Sequence, residues 1–273
     1  MRVESNMQWS DSIFTSEGRF FQGNHELIAS LDVEWTKNYR IKNGSRPFNY
    51  SISLIELPID PTPVDIHPRS FGFKSVYVST AADEINLLES LDRDLLGFLE
   101  SGILMAGHQL SSDLSCVINA SPVSLPNVST LYECWRERRS EGRVIDTRYD
   151  LDHLLDIKSR RLVDVAAELG VGVEQPELKN TSMTAIHRRF LSTGNEALRE
   201  RLMVLNLRHS LSTAVLAAMS LGRLTPTYVG VNSLIRDNVW DYFDYVDSTS
   251  FSELVHTERH RARAGSERRY TLP

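Results

Sequence analysis

Asp32 and Glu34 stand one residue apart at the end of the apolar run Leu27-Ile28-Ala29-Ser30-Leu31-Asp32-Val33-Glu34. In an extended strand alternate side chains leave on the same face, so the two carboxylates project together while Leu31 and Val33 pack behind them. Adjacent carboxylates repel, and a cation between them keeps both ionised. Hard oxygen donors at a strand end suit Mg²⁺ or Mn²⁺. A third acid, Asp113, lies in Ala106-Gly107-His108-Gln109-Leu110-Ser111-Ser112-Asp113, directly after the short apolar segment 103–106. Gly107 is expected to let the backbone turn, and a helix starting near Gln109 would aim Asp113 back at the strand end that carries Asp32 and Glu34.

These groups need a scaffold, and the chain has the material for one. It has 273 residues, 41% of them hydrophobic, enough for a sizeable core in one large domain with extensions. A formal net charge of −6 argues against a protein that coats nucleic acid by bulk charge, and leaves room for a local basic groove. The two cysteines, Cys116 and Cys134, form no C-x-x-C pair, so neither a zinc site nor a disulfide framework is expected. No basic-then-apolar leader opens the chain and no apolar run reaches the roughly 20 residues of a membrane helix. The expectation is a soluble cytoplasmic protein with no membrane partner.

Hydrophobic periodicity divides the chain into three parts. Residues 1–25 read as a polar N-terminal extension, 26–247 as the folded domain, and 248–273 as a flexible tail ending in a basic run with Arg259, Arg261, Arg263, Arg268 and Arg269. Within the domain, strands are expected over 27–34, 48–57 and 71–79, with Asn43-Gly44 as the turn of a hairpin and a proline-rich loop over 58–68. A helix follows over 81–101, stopped by Gly102, then a strand at 103–106, helices over 110–117 and 130–139, and a brief strand at 144–147. Helices over 162–169 and 197–221 and an amphipathic stretch over 232–246 complete it. Three strands, a helix, a strand, helices, a strand and more helices predict an α/β fold, a mixed β-sheet with helices on its faces.

Asp-x-Glu on a first strand, Gly-His-Gln-x-x-x-Asp after a later strand, Ile145-Asp146-Thr147 and a long terminal helix resemble the DEDD superfamily of 3′-to-5′ exonucleases. The similarity runs from about residue 27 to residue 221. It implies a ribonuclease H-like fold and a two-metal site in which acidic residues hold a pair of Mg²⁺ or Mn²⁺ ions, activating water and stabilising the leaving oxygen of a phosphodiester. Asp32 and Glu34 match the first motif and Asp113 the second. In the tyrosine branch of the superfamily the last helix carries Tyr-Asn-x-x-Asp-x-x-x-Thr; here the stretch reads Leu205-Asn206-Leu207-Arg208-His209-Ser210-Leu211-Ser212-Thr213. Asn206 and Thr213 fit, Leu205 replaces the tyrosine, and His209 takes the place of the fourth acid. Imidazole binds Mn²⁺ and other transition ions but suits Mg²⁺ poorly. Asp146 is the nearest substitute acid, although in the superfamily that position supports the fold.

Further residues fit a reader of single-stranded 3′ ends. Trp35 is placed to stack on a terminal base, Lys37 and Arg40 to reach phosphates, and His108 is counted with them as a nucleic-acid contact. Two functions follow. One is a metal-dependent 3′-to-5′ exonuclease of DNA or RNA with Asp32, Glu34, Asp113 and His209 as catalytic metal ligands. The other is a catalytically impaired relative that binds nucleic acid or a protein partner on the same fold.

Overall fold

The computed structural model describes residues 1–7, 25–36, 44–58, 71–141, 144–224 and 228–269. Strands β1 (Arg2–Ser5), β2 (His25–Thr36), β3 (Arg46–Pro58), β4 (Gly72–Tyr77), β5 (Leu104–Gly107) and β6 (Val144–Asp146) form one sheet in the spatial order β1-β4-β3-β2-β5-β6. β2, β3 and β4 are antiparallel neighbours, as β1 and β4 are. β5 and β6 extend the sheet from β2 in parallel. Parallel neighbours need a crossover, and helices supply it. α1 (Glu84–Glu100) leads from β4 to β5, and α2 (Leu110–Ala120) and α3 (Pro126–Glu141) lead from β5 to β6. The result is the mixed sheet flanked by helices that the order of elements predicts, and it is compatible with the ribonuclease H-like fold that the resemblance implies.

α4 (Leu162–Glu168), the two-residue strand β7 (Val171–Gly172) and α5 (Met183–Thr193) follow, then α6 (Glu196–Ser220), β8 (Val229–Gly230), α7 (Val231–Val239) and α8 (Thr249–Arg269). α6 is the central helix. Asn195 caps it by accepting from the Ala197 N–H at 3.1 Å, and Gly222, at φ 67°, follows its end. It is long and apolar enough to cross a membrane, but 94% of its most apolar window is buried inside the protein, which marks it as a core helix. It packs on β2 and β3 through serines: Ser30 Oγ donates to the Ser210 carbonyl at 2.6 Å, and Ser210 Oγ to Ser53 Oγ at 2.9 Å. Small hydroxyl side chains bring helix and sheet close and satisfy each other without water.

The two ends of the chain differ from the expectation. The N-terminal extension is not separate from the domain, because β1 adds a strand to the sheet edge. The C-terminal segment is not a mobile tail up to Arg269: it is helix α8, anchored by Phe251, Val255 and Glu258, all buried to 2% exposure or less. Two apolar residues one helical turn apart suffice to dock a helix whose composition is otherwise polar. The amphipathic stretch over 232–246 ends its helix at Val239 and resumes as a 3₁₀ turn, Asp244–Asp247. Residue 43 of the expected hairpin turn, most of the proline-rich loop and the last residues, 270–273, lie outside the described residues.

Candidate metal centre

The face of β2 that carries Ser30, Asp32 and Glu34 meets the face of α6 that carries Asn206, His209 and Ser210. Residues three and four apart share one side of a helix, so the polar stripe of the strand meets a polar stripe on the helix. Leu31 and Val33, on the opposite face of β2, are buried at 0% and 2% exposure. Asn206 Nδ2 donates to Asp32 Oδ2 at 2.5 Å. His209 Nδ1 lies 3.5 Å from the same Asp32 oxygen and 3.3 Å from Glu34 Oε1. The register of β2 against β3 shifts immediately after Glu34, a bulge that re-aims the strand where it leaves the site. The far side of the imidazole is held as well: His209 Nε2 and Gln175 Nε2 are 2.6 Å apart. Leu205, in the tyrosine position, is fully buried in the core.

Asp113 approaches from the other side. β5 pairs with β2 only over residues 28–30, which leaves the β2 edge open beyond Ser30. α2 fills that space, and the Val33 N–H donates to the Asp113 carboxylate. Gly107 serves this approach through its missing side chain rather than through a left-handed turn, since a Cβ there would lie 2.6 Å from that of Leu110. The left-handed residue is Gln109, at φ 62°, the one non-glycine with positive φ among the described residues. Asp146 holds this strained cap. Its carboxylate accepts from the N–H groups of Gln109 (2.9 Å), Leu110 (3.1 Å) and Arg148 (3.1 Å) and from Trp135 Nε1 (2.8 Å). Asp146 is therefore occupied in building α2, and it is no substitute ligand.

The electrostatics follow from this crowding. Burial alone would depress the His209 imidazole, but hydrogen bonds and charge from Asp32 and Glu34 outweigh it and raise its pKa to about 10. Burial, with the nearby charges of Asp32 and Glu34, pushes the Asp113 carboxyl well above the usual carboxylate range. Its Oδ2 is buried and has no hydrogen-bond partner.

Asp32, Glu34 and His209 each offer one donor atom, and these lie within 4.8 Å of one another. Asp113 stands beside this group rather than in it. Two carboxylates and an imidazole form a donor set suited to Mn²⁺ or another transition ion more than to Mg²⁺. The unpartnered Asp113 oxygen, buried next to them, fits a cation as its partner, because such an atom otherwise remains unsatisfied in a low-dielectric interior. The residues present therefore fit a divalent ion.

Among the proposed nucleic-acid contacts, Trp35 lines a cleft that opens at Glu34 and His209. Lys37 and Arg40 lie outside the described residues. His108 is built into the fold: Nε2 lies 2.9 Å from the Arg160 carbonyl, which can only accept, so Nδ1 is left to accept from Thr147 Oγ1 at 3.0 Å. Gln175 went unrecognised in the sequence, because a lone glutamine in an irregular segment carries no pattern. No family model matches the chain, and neither a curated protein nor a solved structure matches it.

Proposed function

We propose that the protein is a metal-dependent 3′-to-5′ exonuclease of the DEDD type, acting in the cytoplasm on single-stranded DNA or RNA. The observation that carries this reading is the convergence of Asp32 and Glu34 on β2 with His209 on α6, 175 positions further along the chain, on a ribonuclease H-like sheet. Asp32, Glu34 and His209 would hold the divalent ions, with Asp113 offering its unpartnered oxygen. Such ions, when bound, supply an acidified water and positive charge opposite the scissile phosphate. Asn206 fixes the rotamer of Asp32, and the Gln175 amide stands against the far side of the His209 ring, where turned over it would present Oε1 to the Nε2–H of an imidazole that uses Nδ1 toward the carboxylates. Trp35 offers an indole to the terminal base.

A second reading rests on one observation. His209 Nδ1 already contacts both carboxylates, and an imidazolium there balances charge between them without any ion. The protein would then bind a nucleic acid or protein partner without cutting it. Incubation with 5′-labelled single-stranded RNA and DNA separates the two readings. The exonuclease reading expects products shortened from the 3′ end in Mn²⁺, with none from Asp32→Asn. It also expects His209→Asp to raise the rate in Mg²⁺ roughly tenfold. Retained binding with no shortening in either metal favours the second reading.

A further inference from the structure

A cleft of about 780 Å³ runs from Glu34 and His209 to the segment before α6. Arg161 at the start of α4, Lys179 after the 3₁₀ turn Pro176–Leu178, and Arg188 on α5 contribute to its walls. All three are exposed, and none has a side-chain hydrogen bond or ion pair among the described residues. Several of the chain's other cations sit in ion pairs. Arg2 is paired with Glu4 and Glu200, Arg160 with Asp152, Arg199 with Glu196, Arg208 with Glu177 and Arg259 with Asp237. In a protein with 36 acidic and 30 basic side chains, acidic partners are abundant. Three unpaired cations around one cleft leave a positive wall in a molecule that is negative overall, and a polyanion is its complement.

The rest of the lining narrows the class. Trp35, Val163, Val173 and Met183 supply apolar surface to the same cleft. Spaced phosphates need the cations and flat apolar faces need the indole, a combination that a strand with unpaired bases presents. A duplex hides its base faces in the stack. The volume lies in the range of sites that enclose a small ligand, so the cleft takes terminal nucleotides rather than a helix.

We propose that this cleft binds the end of an unpaired nucleic-acid strand, with Arg161, Lys179 and Arg188 on its phosphates and Trp35 against a base. The assignment rests on the nucleic-acid reading of the adjacent centre but not on cleavage. Phosphate contacts carry no sequence information, so binding through this wall is sequence-independent.

The test is fluorescence anisotropy of the full chain with 5′-fluorescein-labelled single-stranded RNA and DNA in EDTA, over a range of salt. Three contacts contribute a slope of about −2 in log affinity against log salt for a single strand. The triple variant Arg161→Glu/Lys179→Glu/Arg188→Glu should lose that share, so that between about 50 and 200 mM salt the wild type weakens roughly 18-fold more than the variant. Trp35→Ala should weaken binding at least about fivefold. A charge-matched control, Arg136→Glu/Arg189→Glu/Arg259→Glu, should keep most of the slope, and circular dichroism checks that both triples fold. A wild-type slope in the cleft variant, tighter binding of a blunt duplex, or displacement of the strand by polyglutamate at equal charge would overturn the assignment. Strand binding with that slope but no cleavage leaves the cleft standing and removes the exonuclease. Cleavage unaffected by the cleft triple does the reverse.

Discussion

His209 and His187 illustrate how single side chains set the chemistry of this protein. Against the opposing effect of burial, Asp32 and Glu34 raise the His209 pKa to about 10. His187 is pushed the other way, by burial and then by the charge of Arg188, to about 4. Its Nδ1 lies 2.6 Å from the Tyr77 hydroxyl and its ring stacks on Phe48 at 4.1 Å. A folded-state pKa below the ordinary value of 6.5 means that the native protein binds fewer protons than the unfolded chain. That stability is present above about pH 6.5 and is lost as the pH falls through about 4. His187→Gln should therefore lose on the order of 2 kcal/mol less than the wild type between pH 7.5 and 4, measured by urea unfolding. Equal losses would show that His187 does not titrate as described. At this scale the acidic pair was legible, because period-two alternation around Leu31 and Val33 fixes the face of a strand. The charge state of either histidine was not, since it depends on neighbours brought in from distant segments.

At the scale of elements, the centre depends on how α2 is started. Asp146 at the end of β6 satisfies the first N–H groups of the helix that delivers Asp113, and so the last sheet strand supports the site without entering it. Asp146→Ala is expected to destabilise the protein by roughly 3 kcal/mol, from a lost cap and buried donors left unpaired. Asp146→Asn, which keeps one acceptor oxygen, should cost clearly less. Urea midpoints of the three proteins decide this, and equal stability would mean that Gln109 does not need its cap. The strand and the helix were readable from their apolar residues. The left-handed Gln109 was not, because glutamine carries no preference for that conformation, and Gly107 drew the turn to itself. A parallel clamp fastens the opposite side: Arg208 donates to Glu177 at 3.1 and 2.9 Å in a fully buried pair, one residue along α6 from His209. Gln175 and Glu177 thus tie the same loop to α6 at consecutive helix positions, a tertiary arrangement with no sequence signature.

For the whole molecule, the order of strands and helices was enough to anticipate a mixed sheet, since each apolar run had one place to pack. What escaped were elements whose pattern is weak and whose order comes from docking: the edge strand β1, and α8, which a basic composition disguises although Phe251 and Val255 anchor it. The cleft escaped for the same reason, being assembled from β2, α4, α5 and the loop before it. These parts converge on Asp32, Glu34 and His209, and whether that group holds a divalent ion decides what the centre can do. Isothermal titration of the intact protein with Mn²⁺ measures this directly. Saturable binding in the wild type that is abolished by Asp32→Asn is the expected result. No saturable heat, or undiminished binding by Asp32→Asn, would contradict it.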